Sequence, residues 1–423
     1  MNPLILAAIL FVATYVLLLA LPNYRHIVAM AGGLGFILAG ILPLGDVFGA
    51  IDWNVLLMIG GTMGLVQLFI DSGMPALMAN VMLRYTKTVR ITIVALALFA
   101  GIISAFIDNG ATVLMVAPIA LAVAKRANIS PVPVVIAVSV SSNLQGAATL
   151  VGDTTSILLG AAADMNFMDF FWYKGQLGIF WVVQAGAVIS AIILYFLFRS
   201  TKGEIVASED PVVKDKVPTV LLLAMVALLA GASALPSKPA ITNGLICTTL
   251  LVIGILREVI RGNKENVKSA VGAIDWQTLL LLSGVFLVVG GVQAAGVLEV
   301  ISGVFAGLGG GNLLLIYTAI VWGSVLCSAF IDNIPYVAAM LPVVASISAT
   351  LGVDPTLLYF GLLIGATLGG NLTPVGASAN IAGIGILRKE GYEVKNADFL
   401  KIGVPFTLSA VITGYVLLFL QWA

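Results

Sequence analysis

The chain has 423 residues, with 20 Lys and Arg balanced by 20 Asp and Glu; 60% of its residues are hydrophobic and only 9% are charged. Soluble domains carry about a quarter charged residues, so this chain cannot cover itself with polar surface in water. One histidine, His26, and two cysteines in apolar segments, Cys247 and Cys327, leave no material for a disulfide framework or a His/Cys metal cluster.

In chain order, apolar runs occupy Pro3–Leu21, Ile27–Leu42, Val55–Ile70, Gly178–Phe198, Val220–Leu235, Leu245–Leu256, Leu279–Val292 and Phe399–Leu420. Most of these reach or approach the roughly 20 residues a helix needs to cross a hydrocarbon core. None alternates as a barrel strand would. The first run lacks a basic segment before it, so it reads as a membrane helix and not a secretion signal.

The hexapeptide Ser-Ala-Phe-Ile-Asp-Asn stands at Ser104–Asn109 and again at Ser328–Asn333. Ala50–Trp53 returns as Ala273–Trp276, Pro118 as Pro342, and Gly152 as Gly376. The chain is therefore an internal duplication: a first repeat over 1–200, a cytoplasmic linker over 201–216 and a second repeat over 217–423. Equivalent loops have opposite charge. Pro43–Trp53 has no basic residue, whereas Arg257–Trp276 has Arg257, Arg261, Lys264 and Lys268; basic Arg84, Lys87 and Arg90 match neutral Gly307–Asn312. Lys and Arg mark cytoplasmic loops, so the repeats are expected to face opposite sides, as in many secondary transporters.

One threading satisfies this pattern with both termini outside. Spans then lie at 3–21, 25–43, 54–71, 131–164 and 175–199, and at 217–235, 239–257, 276–294, 356–386 and 399–421. Of the Lys and Arg residues, only Lys174 and Lys238 fall outside. The segments 90–126 and 312–350 each begin and end beside loops of one character. They are expected as re-entrant hairpins with tips at Ile107–Gly110 and Ile331–Ile334; two crossing helices joined by a polar turn is the alternative. The expected fold is an all-α polytopic membrane protein, an inverted-topology repeat of about 10 transmembrane helices with two re-entrant hairpins and two interrupted helices.

Non-helical backbone at membrane depth is tolerated only against protein or a water-filled cavity. The two tips are such places, as are two breaks rich in Gly, Asn, Thr and Ser at Ser141–Ser156 and Gly369–Asn380. One tip and one break per repeat give two half-sites around one midplane cavity. Asp108, Asp153 and Asp332 are the acidic residues expected deep in the membrane, where a carboxylate marks an ion path or caps a helix start. Asp52 and Asp275, each beside a Trp, read as caps. No Lys or Arg is expected at that depth, which favours a cation, a proton or a neutral or singly charged oxyacid as substrate. Cys327 reads as a small core residue rather than a thiol ligand.

At Ser104–Thr112 with Ala117–Pro118, at Asn143–Leu159, and at Gly369–Gly383 followed by Gly391–Tyr392, the chain resembles the ion transporter superfamily. The resemblance is to the branch of arsenical pump membrane proteins, melanosomal P protein and NhaD-type sodium/proton antiporters. It implies the inverted repeat with two hairpins and two interrupted helices; relatives in the dicarboxylate branch are homodimers with an elevator motion. Carried over by position, Asn109, Thr112, Asn143, Thr149, Gly152 and Asp153 form a first half-site, and Asn333, Asn371, Thr373, Gly376, Ser378 and Asn380 a second. This chain has Gly152-Asp153-Thr154-Thr155-Ser156 where branch members show Gly-Asp-Pro-Pro-Asn, and its tips lack the Ser-Asn-Thr signature of the dicarboxylate branch. The latter departure weighs against organic di- and tricarboxylates.

The expected function is secondary active transport of a small inorganic substrate, foremost arsenite or antimonite efflux, coupled to a proton or sodium gradient across the inner membrane. Na⁺/H⁺ exchange with Asp108, Asp153 and Asp332 as titrating ligands is the alternative, followed by Na⁺-coupled uptake of an organic or inorganic anion and by a gated channel. No phosphate-binding loop is present, so coupling to ATP needs a separate subunit. No nucleophile–base pair suggests an enzyme, and neither a cofactor beyond the coupling ion nor a nucleic-acid partner is expected.

Overall fold

The computed structural model describes residues 2–201, 203, 212–235, 237–309 and 312–423, without the side chains of 305, 306, 308 and 309. The middle of the expected linker, 204–211, lies outside the described residues. The first half runs through α1 (Pro3–Ala20), α2 (Arg25–Leu38), α3 (Val47–Ala50), α4 (Trp53–Asp71), α5 (Met74–Arg84), α6 (Val89–Ser104), α7 (Asn109–Arg126), α8 (Pro131–Gly146), α9 (Thr154–Ala162) and α10 (Ile179–Leu197). The second half repeats the order as α11 (Val217–Ala232), α12 (Thr242–Ile260), α13 (Lys264–Gly272), α14 (Trp276–Ala294), α15 (Val297–Gly309), α16 (Leu313–Ser328), α17 (Asn333–Leu351), α18 (Thr356–Gly369), α19 (Ser378–Lys389) and α20 (Asn396–Trp422).

Matching caps start matching helices. Asp52 accepts from the Val55 amide and starts α4; Asp275 accepts from the amides of Gln277 and Thr278 and starts α14. Asp108 and Asp332 do the same for α7 and α17. In each case a carboxylate meets amides that have no partner in the first helical turn.

The pairing of helices shows the duplication. α2 packs along α14 and α4 along α12, each helix of one half against the partner's counterpart in the other. α6 packs on α8 as α16 packs on α18, and α10 packs on its own counterpart α20. Close crossing requires residues without a side chain. A Cβ at Gly61 of α4 would lie 2.6 Å from the Cys247 carbonyl carbon of α12, and one at the equivalent Gly284 of α14 would run into the backbone of Ala29 in α2.

Seven helices among the described residues are long and apolar enough to cross a bilayer: α1, α4, α10, α12, the α13–α14 segment, α17 and α20. α1 buries only Ala7, Thr14 and Leu18 and exposes Ile5, Ile9, Val12 and Val16, a lipid-facing pattern. α6 and α16 have 16 residues each, about 24 Å of helix, which is short of a hydrocarbon core.

Some elements were not expected. The short helices α3, α5, α13 and α15 fall in stretches read as loops. A small antiparallel hairpin, β1 (Trp172–Tyr173) and β2 (Gln176–Leu177), turns through Lys174 and Gly175, both at positive φ. At one face, Asp215 ahead of α11 is bound by Arg257 of α12 and by Arg261 at that helix's C-cap. Burial alone would raise its carboxyl, but the Arg257 hydrogen bond and the two guanidinium charges hold it below the ordinary carboxylate value.

Gly284→Val is expected to force α2 and α14 apart and cost about 1–3 kcal/mol, read as a lower melting temperature of the purified protein. Gly231→Val, where an added Cβ meets nothing within 4 Å, serves as the neutral control.

Candidate functional site

The site is built from the two tips and the two breaks. α6 and α7 meet at Ala105–Asp108, and α16 and α17 at Ala329–Asp332. Behind each tip a serine holds the asparagine that opens the next helix: Ser104 Oγ donates to Asn109 Oδ1 at 2.9 Å, and Ser328 Oγ to Asn333 Oδ1. The identical hexapeptides thus make the same serine–asparagine bond.

Each break is tied to its tip. The Thr149 hydroxyl donates to the Ala105 carbonyl, and Thr373 to that of Ala329. These bonds satisfy carbonyls that the helix ladder has released. Gly152 and Gly376 lie against the same carbonyls: a Cβ would come 2.8 Å from Ala105 O and 2.9 Å from Ala329 O. Only glycine fits so near. Farther along, Ser156 Oγ reaches Gly146 O at 3.2 Å and Asn380 Nδ2 reaches Gly370 O at 3.1 Å, closing the two breaks in the same manner.

The halves join through side-chain amides. Asn109 Nδ2 donates to Asn143 Oδ1 (3.1 Å), and Asn143 Nδ2 donates to the Thr367 carbonyl (2.7 Å) and to Asn371 Oδ1 (3.1 Å). Asn371 Nδ2 returns the contact to the Val140 carbonyl at 2.8 Å. A second bridge runs from Asp153 Oδ2, which accepts from Thr155 Oγ1 at 2.8 Å, to Thr367 Oγ1, 2.9 Å from Thr155 Oγ1. All of these asparagines are buried.

In front of this framework lies a cavity of about 540 Å³. Asp108, Asp153 and Asp332 all line it, with Asn109, Asn143, Asn333 and Ser378. Thr112, Thr149, Gly152, Asn371, Thr373, Gly376 and Asn380 do not line it. Thr149, Asn371, Thr373 and Asn380 brace the wall behind it through the bonds given above, and Gly152 and Gly376 pack there. The Thr112 hydroxyl and Asn380 Oδ1 are buried without a hydrogen-bond partner.

The sequence reading missed several wall residues. Asp275 and Thr278 at the start of α14 and Gln67 in α4 also face the cavity. Asp275 is a cap, as expected, and a wall residue too. The available signal was the second copy of Ala-Ile-Asp-Trp, set in the basic loop Arg257–Trp276. Gln67, a lone amide in an apolar run, hydrogen-bonds to Asp71 at 2.8 Å.

One expectation is overturned. Arg25 reaches the depth of the aspartates, with Nη1 2.9 Å from Asp332 Oδ2. The connection Leu21–Tyr24 turns α1 into α2 close beside the second tip, and a long guanidinium side chain spans the remaining gap. Asp108 and Asp153 form no ion pair among the described residues.

A crevice of about 900 Å³ on the other side of the molecule is the counterpart of this cavity. Asp52, Phe286, Val289 and Gln293 line it where Asp275, Met63, Val66 and Ile70 line the first. It runs along α17 from Ala338 to Ala349 and touches neither the second tip nor any of the three aspartates of the site. The symmetry is broken: one cavity reaches the carboxylates and the other stops short.

The model of the citrate transporter family matches residues 15–365. The chain belongs to that family. Relatives include an uncharacterized transporter of Mycobacterium tuberculosis, Rv2684, 30% identical with 99% of this chain and 98% of the relative covered. Human P protein is 25% identical, with 97% of this chain and 59% of that protein covered. Among solved structures, the YdaH transporter of Alcanivorax borkumensis has a similar fold at TM-score 0.65 and 16% identity, over 99% of this chain and 98% of that one. MtrF of Neisseria gonorrhoeae follows at TM-score 0.58 and 15% identity, over 99% and 94%. The chain is thus a multi-pass membrane transporter of the ion transporter superfamily.

Asn143→Ala is expected to orphan the Asn109 amide, the Thr367 carbonyl and Asn371 Oδ1, each costing about 1–3 kcal/mol if left unsatisfied. Thermal unfolding should show a large drop, whereas Ser139→Ala, which loses only a bond to Val135 O in its own helix, should show little.

Proposed function

We propose that this transporter exports a small inorganic substrate from the cytoplasm in exchange for protons or Na⁺, with Asp108 and Asp153 taking the coupling cation. The observation that carries this reading is the convergence of Asp108, Asp153, Asp275 and Asp332 on one cavity. A carboxylate held at membrane depth without a fixed cation favours a mobile one. The same wall carries Asn109, Asn143, Asn333 and Ser378, neutral groups suited to hydroxyl-rich solutes.

A polyanion such as citrate, the substrate named by the family model, would meet this field of like charge with, among the described residues, only Arg25 nearby, itself engaged by Asp332. Arsenite and antimonite are uncharged trihydroxy acids at neutral pH and escape that repulsion. Their fit to the neutral donors, together with a cavity that takes a coupling cation, favours proton- or Na⁺-coupled efflux. Na⁺/H⁺ exchange is the second reading, favoured by the unpaired state of Asp108 and Asp153.

The basic residues set the orientation. Arg84, Lys125, Arg257 and Arg388 each stand in the last turn of a helix; Arg257 binds Asp215, next to Lys214, whose amide donates to the Ser72 carbonyl at the Ile70 end of α4, and Lys125 is bound to Glu390 at 2.8 Å. By the charge rule the Ile70 end of α4 is cytoplasmic, so the cavity opens inward. The α6–α7 and α16–α17 pairs then act as re-entrant hairpins, entering from opposite sides.

Proteoliposomes carrying the purified chain test this directly. Arsenite flux that follows an imposed pH or Na⁺ gradient is expected, and Asp108→Asn or Asp153→Asn should reduce it at least about tenfold with folded protein retained. Proton movement on Na⁺ addition without arsenite flux would transfer the assignment to Na⁺/H⁺ exchange; flux of citrate alone would overturn both.

A further inference from the structure

The inverted repeat makes it informative to ask where the two halves differ. Tip and break are bound to each other in both halves, by Thr149 to Ala105 and by Thr373 to Ala329. α1 and α2 touch the second tip differently. Arg25 pairs with Asp332 at 2.9 Å, and the Tyr15 hydroxyl of α1 donates to the Pro335 carbonyl at 3.1 Å. Arg25 Nε also contacts Leu18 O at 3.4 Å, which orients the guanidinium toward the tip.

The first tip has no such clamp. Gly61 meets Cys247 and Thr248 as Gly284 meets Ala29 and Met30, so Asn243 of α12 stands where Arg25 stands in α2. Asn243 is approached by Lys238 at 3.4 Å, and among the described residues no hydrogen bond joins α11 or α12 to Phe106–Thr112. The clamped tip lines the cavity that reaches the aspartates, through Asp332, Asn333 and Ile334, and does not line the crevice. A single ion pair and a single phenol bond therefore hold a tip whose other polar bonds are to its own half.

We propose that Arg25 is an internal counter-ion for Asp332: in the arrangement whose cavity reaches the aspartates, it neutralises that carboxylate, leaves Asp108 and Asp153 to the transported cation, and latches the second tip to α2. When the tip withdraws from α2 the pair breaks, Asp332 becomes free, and the site gains a negative charge in the opposite arrangement. Cation occupancy of Asp332 and the latch are then competitive. This inference rests on the cation-coupled reading for its binding consequence, but its conformational consequence stands without it.

The test uses sided cysteine labelling in the full chain with Cys247 and Cys327 replaced by Ala. Leu114→Cys, in the cavity wall, is exposed to a membrane-impermeant maleimide from the basic face. Arg25→Gln and Asp332→Asn are each expected to slow labelling about fivefold or more, a modest shift between two states. The Asn variant can still cap α17, so it isolates charge from capping. Arg25→Lys, which keeps the charge and leaves the Asp332 cap in place, should label near the unmodified rate, and the double variant Arg25→Gln with Asp332→Asn should slow labelling no further than either single variant. Unchanged labelling in both neutral variants overturns the latch, as does slowing in the double variant that equals the sum of the two single effects, or loss of folded protein in both neutral variants while Arg25→Lys labels no faster than Arg25→Gln.

Calorimetric Na⁺ binding gives the second readout: Arg25→Gln should bind Na⁺ more tightly than the unmodified chain, and Asp332→Asn should not. Equal binding in Arg25→Gln overturns the counter-ion role. Wild-type protein that binds no Na⁺ and takes up no proton, yet shows the labelling shifts, would remove the coupling assignment and leave the latch standing.

Discussion

Backbone that leaves its helix inside a membrane must find its hydrogen bonds in protein, and this constraint organises the molecule. The run Ser104–Asn109–Asn143–Asn371 is the solution: hydroxyl and amide groups pass from the first tip through the first break into the second half. Thr149, Thr373, Ser156 and Asn380 take up the carbonyls that remain. With most of the framework satisfied internally, Asp108 and Asp153 stand in front of it with no ion pair among the described residues. A polar wall and an acidic cavity are therefore two sides of one structure.

Capping and ion binding are not rival accounts of Asp108 and Asp332. Each carboxylate accepts from an amide at a helix start, at 3.0 Å to Ala111 and 3.1 Å to Ile334, and each also lines the cavity. A cap pins the carboxylate at the positive end of a helix dipole, which stabilises its charge. For Asp108 that position offsets part of the cost of keeping an anion at depth, while Asp332 also has Arg25 at 2.9 Å.

Inverted symmetry gives two vestibules, and the fold opens only one of them to the aspartates. The difference resides in side chains rather than in architecture: α2 offers Arg25 to the second tip while α12 offers nothing equivalent to the first. In transporters built from inverted repeats, related halves can give two end states of similar backbone geometry, and an asymmetric contact of this kind can bias such a pair.

The sequence alone determined the membrane class and the duplication, and it singled out candidate residues for the site. Apolar length reports on the solvent a helix needs, and an exact hexapeptide repeat can report on shared ancestry without any coordinates. Asp108, Asp153 and Asp332 were legible because a carboxylate is conspicuous in an apolar run. What tertiary structure alone decided is which of the polar residues face the cavity and which brace it. Thr149 and Thr373 look like ligands by composition and act as bonds to Ala105 and Ala329. Asp275 looked like a surface cap and proves also to be part of the wall. Arg25, 307 residues from Asp332 in the chain, could not be paired with it from spacing, because the contact depends on how α1 and α2 lie against the second tip. Local patterns carry helix type and cap; the meeting of distant side chains is set by packing.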